Sequence, residues 1–291
     1  MESIVVKAFA KVNLTLDVLR KRPDGYHDVE MIMQQISLFD EVTLRPLPSG
    51  IRVFTGHNYV PDDETNIGWK AAKRFFDETG IQGGVDIVIK KNIPVAAGLA
   101  GGSTDAAAVL RGLNSLFSAG LSLEQLMVIG KAIGADVPFC LKGGTCLSEG
   151  IGERLTEISV HTDYWIILVK PPVGVSTREV YESLSIERIR RHPDTLSAKI
   201  ALEEGNVYHL AQAMYNVLEE VTADKLKSIP EIKSRLMSYG AKRAMMSGSG
   251  PTVFGIFTRQ DRAERALKNI KRHYQEAFIV RPIAGGMRDA K

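Results

Sequence analysis

Hydrophobic and polar residues alternate from Val6 to Val18. Ala8, Ala10, Val12, Leu14 and Leu16 fall on one face of an extended chain, and Lys7, Phe9, Lys11, Asn13, Thr15 and Asp17 on the other. This predicts a strand that presents Lys11 and Asn13 in the same direction, with Lys7 an ordinary charge on an exposed edge. Arg22-Pro23-Asp24-Gly25 follows as a turn. The chain re-enters with Tyr26-His27 before an apolar run to Ile36, so a hairpin returns an aromatic ring and an imidazole to the strand. Val85 to Ile89 alternates like a half-buried strand, and Ala106 to Leu113 reads as an unbroken helix. A capping box at Ser122 and Gln125 opens another helix that stops near Gly134, and Pro138 is expected to end further helix. After one clear strand from Trp165, helical stretches are expected around Thr177, Val207 and Glu231. Two strands, a helix and a closing strand at Phe278-Ile279-Val280 complete the chain. Strands and helices mix without strict βαβ alternation, which suggests an α+β fold.

Between the strand at 85–89 and the helix at 106–113 lies PVAAGLAGGSTDAAAVL. Gly98, Gly101 and Gly102 let backbone amides approach an anion, and a new helix turns its unpaired N–H groups and positive dipole end toward the same point. Ser103 and Thr104 add hydroxyls at the helix entrance. Neither the Gly-Lys-Ser/Thr ending of one nucleotide loop nor the GxGxxG of another is present. An ordinary glycine turn would allow close helix packing, but packing alone does not require amides and hydroxyls together. Asp105 is awkward beside phosphates; it either faces away as a first-turn helix charge or lies near a cation.

Asp136 stands in Gly134-Ala135-Asp136-Val137-Pro138-Phe139, with apolar residues on both sides. A turn-forming aspartate seldom carries so much apolar surface around it, so a functional carboxylate is expected. Downstream, Ser247-Gly248-Ser249-Gly250 forms a second glycine-serine loop between two strands. Alone it reads equally well as a hairpin connection.

Composition narrows the function classes. The chain has 291 residues and 44% hydrophobic content, enough for a substantial core and two domains of ordinary size. A net charge of +3 is too small to argue for nucleic-acid binding, and the basic stretch from Arg259 to Arg272 also carries Asp261 and Glu264, as a solvated helix face does. No apolar run approaches the ~20 residues that cross a bilayer. Cys140 and Cys146 lack metal-motif partners, and Met1-Glu2-Ser3 lacks an export signal's basic start and apolar core. A cytoplasmic setting is expected, with no membrane, nucleic-acid or obligate protein partner.

These segments, in this order, resemble the motifs of the GHMP superfamily of galactokinase, homoserine kinase, mevalonate kinase and phosphomevalonate kinase. The resemblance spans nearly the whole chain. AKVNLTLDVLRKRPDGYHDVEMIMQQISLFDEV, GADVPF and SGSGPTVFGIF are similar, more narrowly, to the branch acting on 4-diphosphocytidyl-2-C-methyl-D-erythritol in the non-mevalonate route to isoprenoid precursors. Lys11, Asn13 and Asp24-Gly25-Tyr26-His27 are the specific part of the match.

The resemblance implies a two-domain GHMP-kinase-like α+β fold. An N-terminal domain with a ribosomal-protein-like fold would cover residues 1–160 and a C-terminal ferredoxin-like domain 161–291, with the active site in the cleft between them. It implies ATP as phosphoryl donor, Asp136 as the partner of the acceptor hydroxyl and Lys11 as the neighbouring cation. Pro94, Val95, Ala96, Ala97, Gly98, Leu99, Ala100, Gly101, Gly102, Ser103 and Thr104 would enclose the phosphates. Ser103 or Thr104 would lie nearest Mg²⁺, and Glu149 is a weaker candidate. Asn13, Tyr26, His27, Thr177 and Tyr181 would surround the cytidine diphosphate, with Tyr26 and Tyr181 sandwiching the base. The loop departs from the family pattern in having Ala96, Ala97 and Ala100 where others carry glycine, and alanine fits unless its site requires a positive φ. A kinase for a small alcohol and a non-catalytic binding module are the alternatives. The aromatic residues disfavour the first, and a Lys11–Asp136 pair the second.

Overall fold

The computed structural model describes residues 3–161 and 163–283. β1 (Ile4–Lys21) and β2 (His27–Leu47) form a long antiparallel hairpin, followed by β3 (Gly50–Phe54), α1 (Ile67–Thr79) and β4 (Gly84–Lys90). α2 (Gly101–Leu116), α3 (Leu123–Lys131), α4 (Val137–Lys142), β5 (Thr145–Gly150) and β6 (Arg154–Glu157) complete the first half. Its six-stranded sheet runs β3-β4-β2-β5-β6, with β1 paired along β2.

The second half begins with β7 (Trp165–Val169), α5 (Thr177–Ser183) and a short 3-10 turn (Ile186–Arg188). There follow α6 (Thr195–Glu203), α7 (Val207–Ala213), α8 (Leu218–Lys225) and α9 (Ser228–Ser238). β8 (Arg243–Met246), β9 (Val253–Phe257), α10 (Gln260–Ile270) and β10 (Ala277–Val280) close the fold. The order β10-β7-β9-β8, antiparallel throughout, is a ferredoxin-like sheet. α10 buries Ala263, Ala266 and Ile270 and turns its charges outward, as its sequence suggests.

β1 departs from simple alternation. Its register with β2 shifts between Phe9 and Lys11 and again between Asn13 and Thr15. Such bulges change which face a residue occupies. Ala8 and Leu16 therefore join one core cluster, while Ala10, Val12 and Leu14 join another. Lys11, Asn13, Thr15 and Asp17 are buried too, so β1 has no solvated face in this stretch. The second cluster packs Ala10, Val12 and Leu14 with Tyr164, Ile166, Phe254 and Ile256, which joins the two sheets through one apolar floor.

α2 lies deep in the first half because its side chains are small. Ala106, Ala107 and Ala108 are fully buried, and a Cβ on Gly112 would sit 2.3 Å from Leu44. Pro138 does not end a helix; it occupies the first turn of α4. The first-turn amides of a helix have no intrahelical partner, so proline costs nothing there.

Candidate active site

A cavity of about 1110 Å³ opens between the halves. That exceeds the roughly 300–1,000 Å³ of a pocket for one drug-sized ligand and leaves room for two substrates. β1, the 94–103 loop and the Asp136 turn line it from the first half; α5 and the second glycine-serine loop line it from the second.

The loop's defining feature is the helix end it leaves open. Ala100 occupies the N-cap position of α2 in the left-handed region (φ 58°), and no side chain caps the helix. The amide of Thr104 bonds to the Ala100 carbonyl, while the earlier amides of α2 have no helical acceptor. Ala96 is also left-handed (φ 50°). Both alanines thus occupy positions where glycine is the unstrained residue, at about 1–2 kcal/mol each. Ser103 faces the cavity. Thr104 does not: it is fully buried and its hydroxyl donates to the Phe9 carbonyl (2.7 Å).

Backbone contacts bring the loop to the catalytic candidates. The Lys11 amide donates to the Leu99 carbonyl (3.2 Å). The Lys11 ammonium donates to Asn13 Oδ1 (2.8 Å) and lies 3.6 Å from Asp136 Oδ2. Asn13 is fully buried and its amide also donates to Met31 Sδ (3.1 Å), so it orients Lys11. Asp136 precedes α4 but makes no capping bond, and its side chain is 30% exposed toward the cavity.

The second loop closes over the first. Ser247 Oγ donates to the Gly98 carbonyl (2.9 Å), and the Thr252 amide to Ala97 (3.3 Å). A Cβ on Gly98 would lie 2.2 Å from the Ser247 carbonyl oxygen, and one on Gly248 3.5 Å from Lys11 Nζ. At Gly98 only glycine permits this approach of backbone to backbone.

On the far wall the rings of His27 and Tyr181 are 5.2 Å apart with a 35° tilt. Tyr26, the expected partner of Tyr181 across the base, stands at the rim of the same cavity, 58% exposed. Burial, reinforced by Lys21, lowers the His27 pKa and favours its neutral form. Burial and then the charge of Asp136 push the Tyr181 phenol up, which puts this wall within electrostatic reach of the Lys11–Asp136 pair. Thr177 Oγ1 bonds to Ser249 Oγ (2.8 Å) and fastens α5 to the second loop.

Asp105 is not a solvated first-turn charge. It is buried against Lys91 Nζ (2.6 Å), which also bonds Asp40 (2.5 Å). Burial lowers the Lys91 pKa, but the two carboxyls outweigh this and raise it. Burial and the neighbouring Asp40 push Asp105 up to about 8 against the opposing pull of Lys91. Lys91 and Asp105 line the cavity, as do Tyr59, Pro61, Asn66 and Ile67, all absent from the sequence expectations except Asp105. A lysine immediately before a phosphate loop was the one readable signal. Glu149 pairs with Arg154 (3.9 Å) and lies outside the cavity lining. Among the described residues no cluster of three His, Cys, Asp or Glu side chains could hold a metal ion, and no helix is long and apolar enough to cross a membrane. Cys140 and Cys146 are free and buried, and burial raises both thiols.

With this geometry in place, comparison with known proteins is direct. The chain belongs to the GHMP kinases: the model of the GHMP kinases N terminal domain matches residues 66–144 and that of the GHMP kinases C terminal matches 198–276. Within that class it is similar to the 4-diphosphocytidyl-2-C-methyl-D-erythritol kinases of Alkaliphilus oremlandii, 51% identical over 98% of this chain and 99% of the relative, and Acetivibrio thermocellus, 52% identical over 97% and 100%. The crystal structure of a 4-(cytidine 5'-diphospho)-2C-methyl-D-erythritol kinase superposes with a TM-score of 0.83 at 31% identity, covering 98% of this chain and 100% of the other. A homoserine kinase from Cytophaga hutchinsonii shares the fold, with a TM-score of 0.77 at 19% identity over 99% and 96% of the chains.

Proposed function

We propose that this kinase transfers the γ-phosphoryl group of ATP to the 2-hydroxyl of 4-diphosphocytidyl-2-C-methyl-D-erythritol, in the non-mevalonate route to isoprenoid precursors. The observation that carries the reading is the uncapped start of α2 opening into the same cavity as the Lys11–Asp136 pair. Free amides at a helix N-terminus bind phosphate, and a carboxylate beside an ammonium suits an alcohol about to become a nucleophile.

In this reading Asp136 takes the hydroxyl proton as the alcohol oxygen forms its bond to the γ-phosphorus. The bond to the β–γ bridging oxygen breaks, and ADP leaves. Lys11, held by Asn13, offsets the charge on Asp136 and on the entering oxygen. Phosphoryl transfer asks mainly for alignment and charge stabilisation, which this rigid array supplies. The amides of Gly101, Gly102 and Ser103 hold the phosphates, Tyr181 and His27 receive the cytosine, and Tyr26 covers it from the rim.

Mg²⁺ fits the same site: it binds substrate phosphates with few protein ligands. Ser103 would hold it, and the ion would neutralise phosphate charge. A cytoplasmic enzyme acting without an obligate protein partner is part of the same proposal. So is the domain division at 160/161, which the gap between β6 and β7 supports.

The test offers ATP and Mg²⁺ with diphosphocytidyl methylerythritol, homoserine or mevalonate separately and follows product by phosphorus NMR. Phosphorylation of the first alone is expected. Preference for either small alcohol overturns the assignment.

A further inference from the structure

Beside the 94–103 loop, with Lys91 and Asp105 at the cavity wall, lies a buried cluster to which the proposed reaction gives no role. Asp40, on β2, is fully buried. One of its oxygens accepts the amides of Asn92 (2.5 Å) and Ile93 (2.8 Å), and the other accepts Lys91 Nζ (2.5 Å). Lys91 Nζ continues to Asp105 Oδ2 (2.6 Å), in α2. Residues just before the loop and just after its helix start are thereby tied together, although Lys91 and Asp105 are 14 positions apart.

We propose that Asp40 is a positioning residue for nucleotide binding: through Lys91 it locks the two ends of the glycine loop together and presets the amides at the start of α2. The proposal rests on the loop being the phosphate cradle. Three observations lead to it. First, a loop holding Ala96 and Ala100 in left-handed backbone keeps that shape only if its surroundings over-determine it. Second, the cluster is a poor way to gain stability. Two carboxyls and an ammonium are desolvated together, Asp105 Oδ1 has no hydrogen-bond partner among the described residues, and apolar replacements of such clusters are often neutral or stabilising. Third, the ammonium is aimed at the working end of the helix: a Cβ on Gly101 would lie 3.5 Å from Lys91 Nζ. Closing the loop's ends in the folded state removes freedom that phosphate binding would otherwise have to remove.

Lys91→Met removes the bridge at nearly constant length. Steady-state kinetics with ATP and diphosphocytidyl methylerythritol varied in turn should show KM for ATP raised about tenfold, with kcat changed less and KM for the acceptor unaltered. A core defect without a positioning role lowers stability and active fraction but leaves both KM values in place. Should Lys91→Met not fold, Asp105→Ala decides. It keeps the Lys91–Asp40 bond and should raise KM for ATP about threefold, again leaving the acceptor KM unchanged. Ser103→Asp, which sets a carboxylate at the start of α2 beside the proposed phosphates, runs in parallel as a test of the cradle. If it raises KM for ATP and the folded cluster variant does not, the positioning role is wrong and the cradle stands. If neither moves KM for ATP, both fail.

Discussion

The two glycine loops look alike in sequence but are held in opposite ways. Pro94–Thr104 is fastened at its ends and leaves the amides at the start of α2 unspent. Ser247–Gly250 is fastened along its length. Asn216 donates to the carbonyls of Met246 and Gly248, Thr222 donates to Ser249, and Glu219 accepts the Met246 amide. The second loop's carbonyls are thus spent on side-chain donors, whereas the amides that open α2 remain available to a ligand. Glycine-rich composition therefore does not identify an anion site; the destination of the backbone hydrogen bonds does.

That contrast can be tested in order of expected effect. Asp136→Asn leaves both loops intact and removes the proposed proton acceptor, so kcat should fall about 10³-fold while ATP binding and melting temperature hold. Near-normal turnover would take Asp136 out of the chemistry. Gly98→Ala drives a methyl group into the Ser247 carbonyl and separates the loops. A loss of more than about 3 kcal/mol in urea unfolding is expected, with activity falling alongside. Asn216→Ala strips partners from two buried carbonyls of the second loop. It should cost about 2–3 kcal/mol of stability yet leave KM for ATP unchanged in the folded enzyme. A raised KM for ATP would make the second loop a ligand site after all.

Asp105 sharpens the comparison through pH. Its raised pKa means that between about pH 4 and pH 8 the folded protein keeps a proton that the unfolded chain releases. Stability from this group therefore falls as pH rises across that window. Lys91 and Asp40 face it directly, and Cys140 lies within electrostatic range. In urea titrations Asp105→Asn should flatten the pH dependence, and an unchanged slope would assign the proton elsewhere. The smallest effect is expected from Ala100→Gly. Relief of left-handed strain offsets glycine's greater unfolded-state freedom, so stability should stay within about 0.5 kcal/mol of the parent.

The residues that line the cavity are more legible in the sequence than the geometry supporting them. Lys11, Asp136 and the glycine loop stand out because their residue types are unusual for their local context, and the cavity collects them. β1 was misread in part because a bulge leaves no mark in a hydrophobic alternation. Pro138 was read as a stop because start and stop prolines differ only in helix register. α1, α6 and α8 went unassigned, the last two among weakly patterned residues. The Asp40–Lys91–Asp105 cluster was invisible because its members meet only after β2, the segment following β4, and α2 have packed, and no spacing along the chain encodes that meeting.

The apolar floor shared by the two sheets limits how the enzyme can breathe. Swinging the halves apart like a clamshell would wet Tyr164, Phe254 and Ile166 at about 25 cal/mol per Å² of exposed apolar surface. Neither the stretch carrying Tyr59 nor α5 belongs to that floor, so either wall can shift without exposing it.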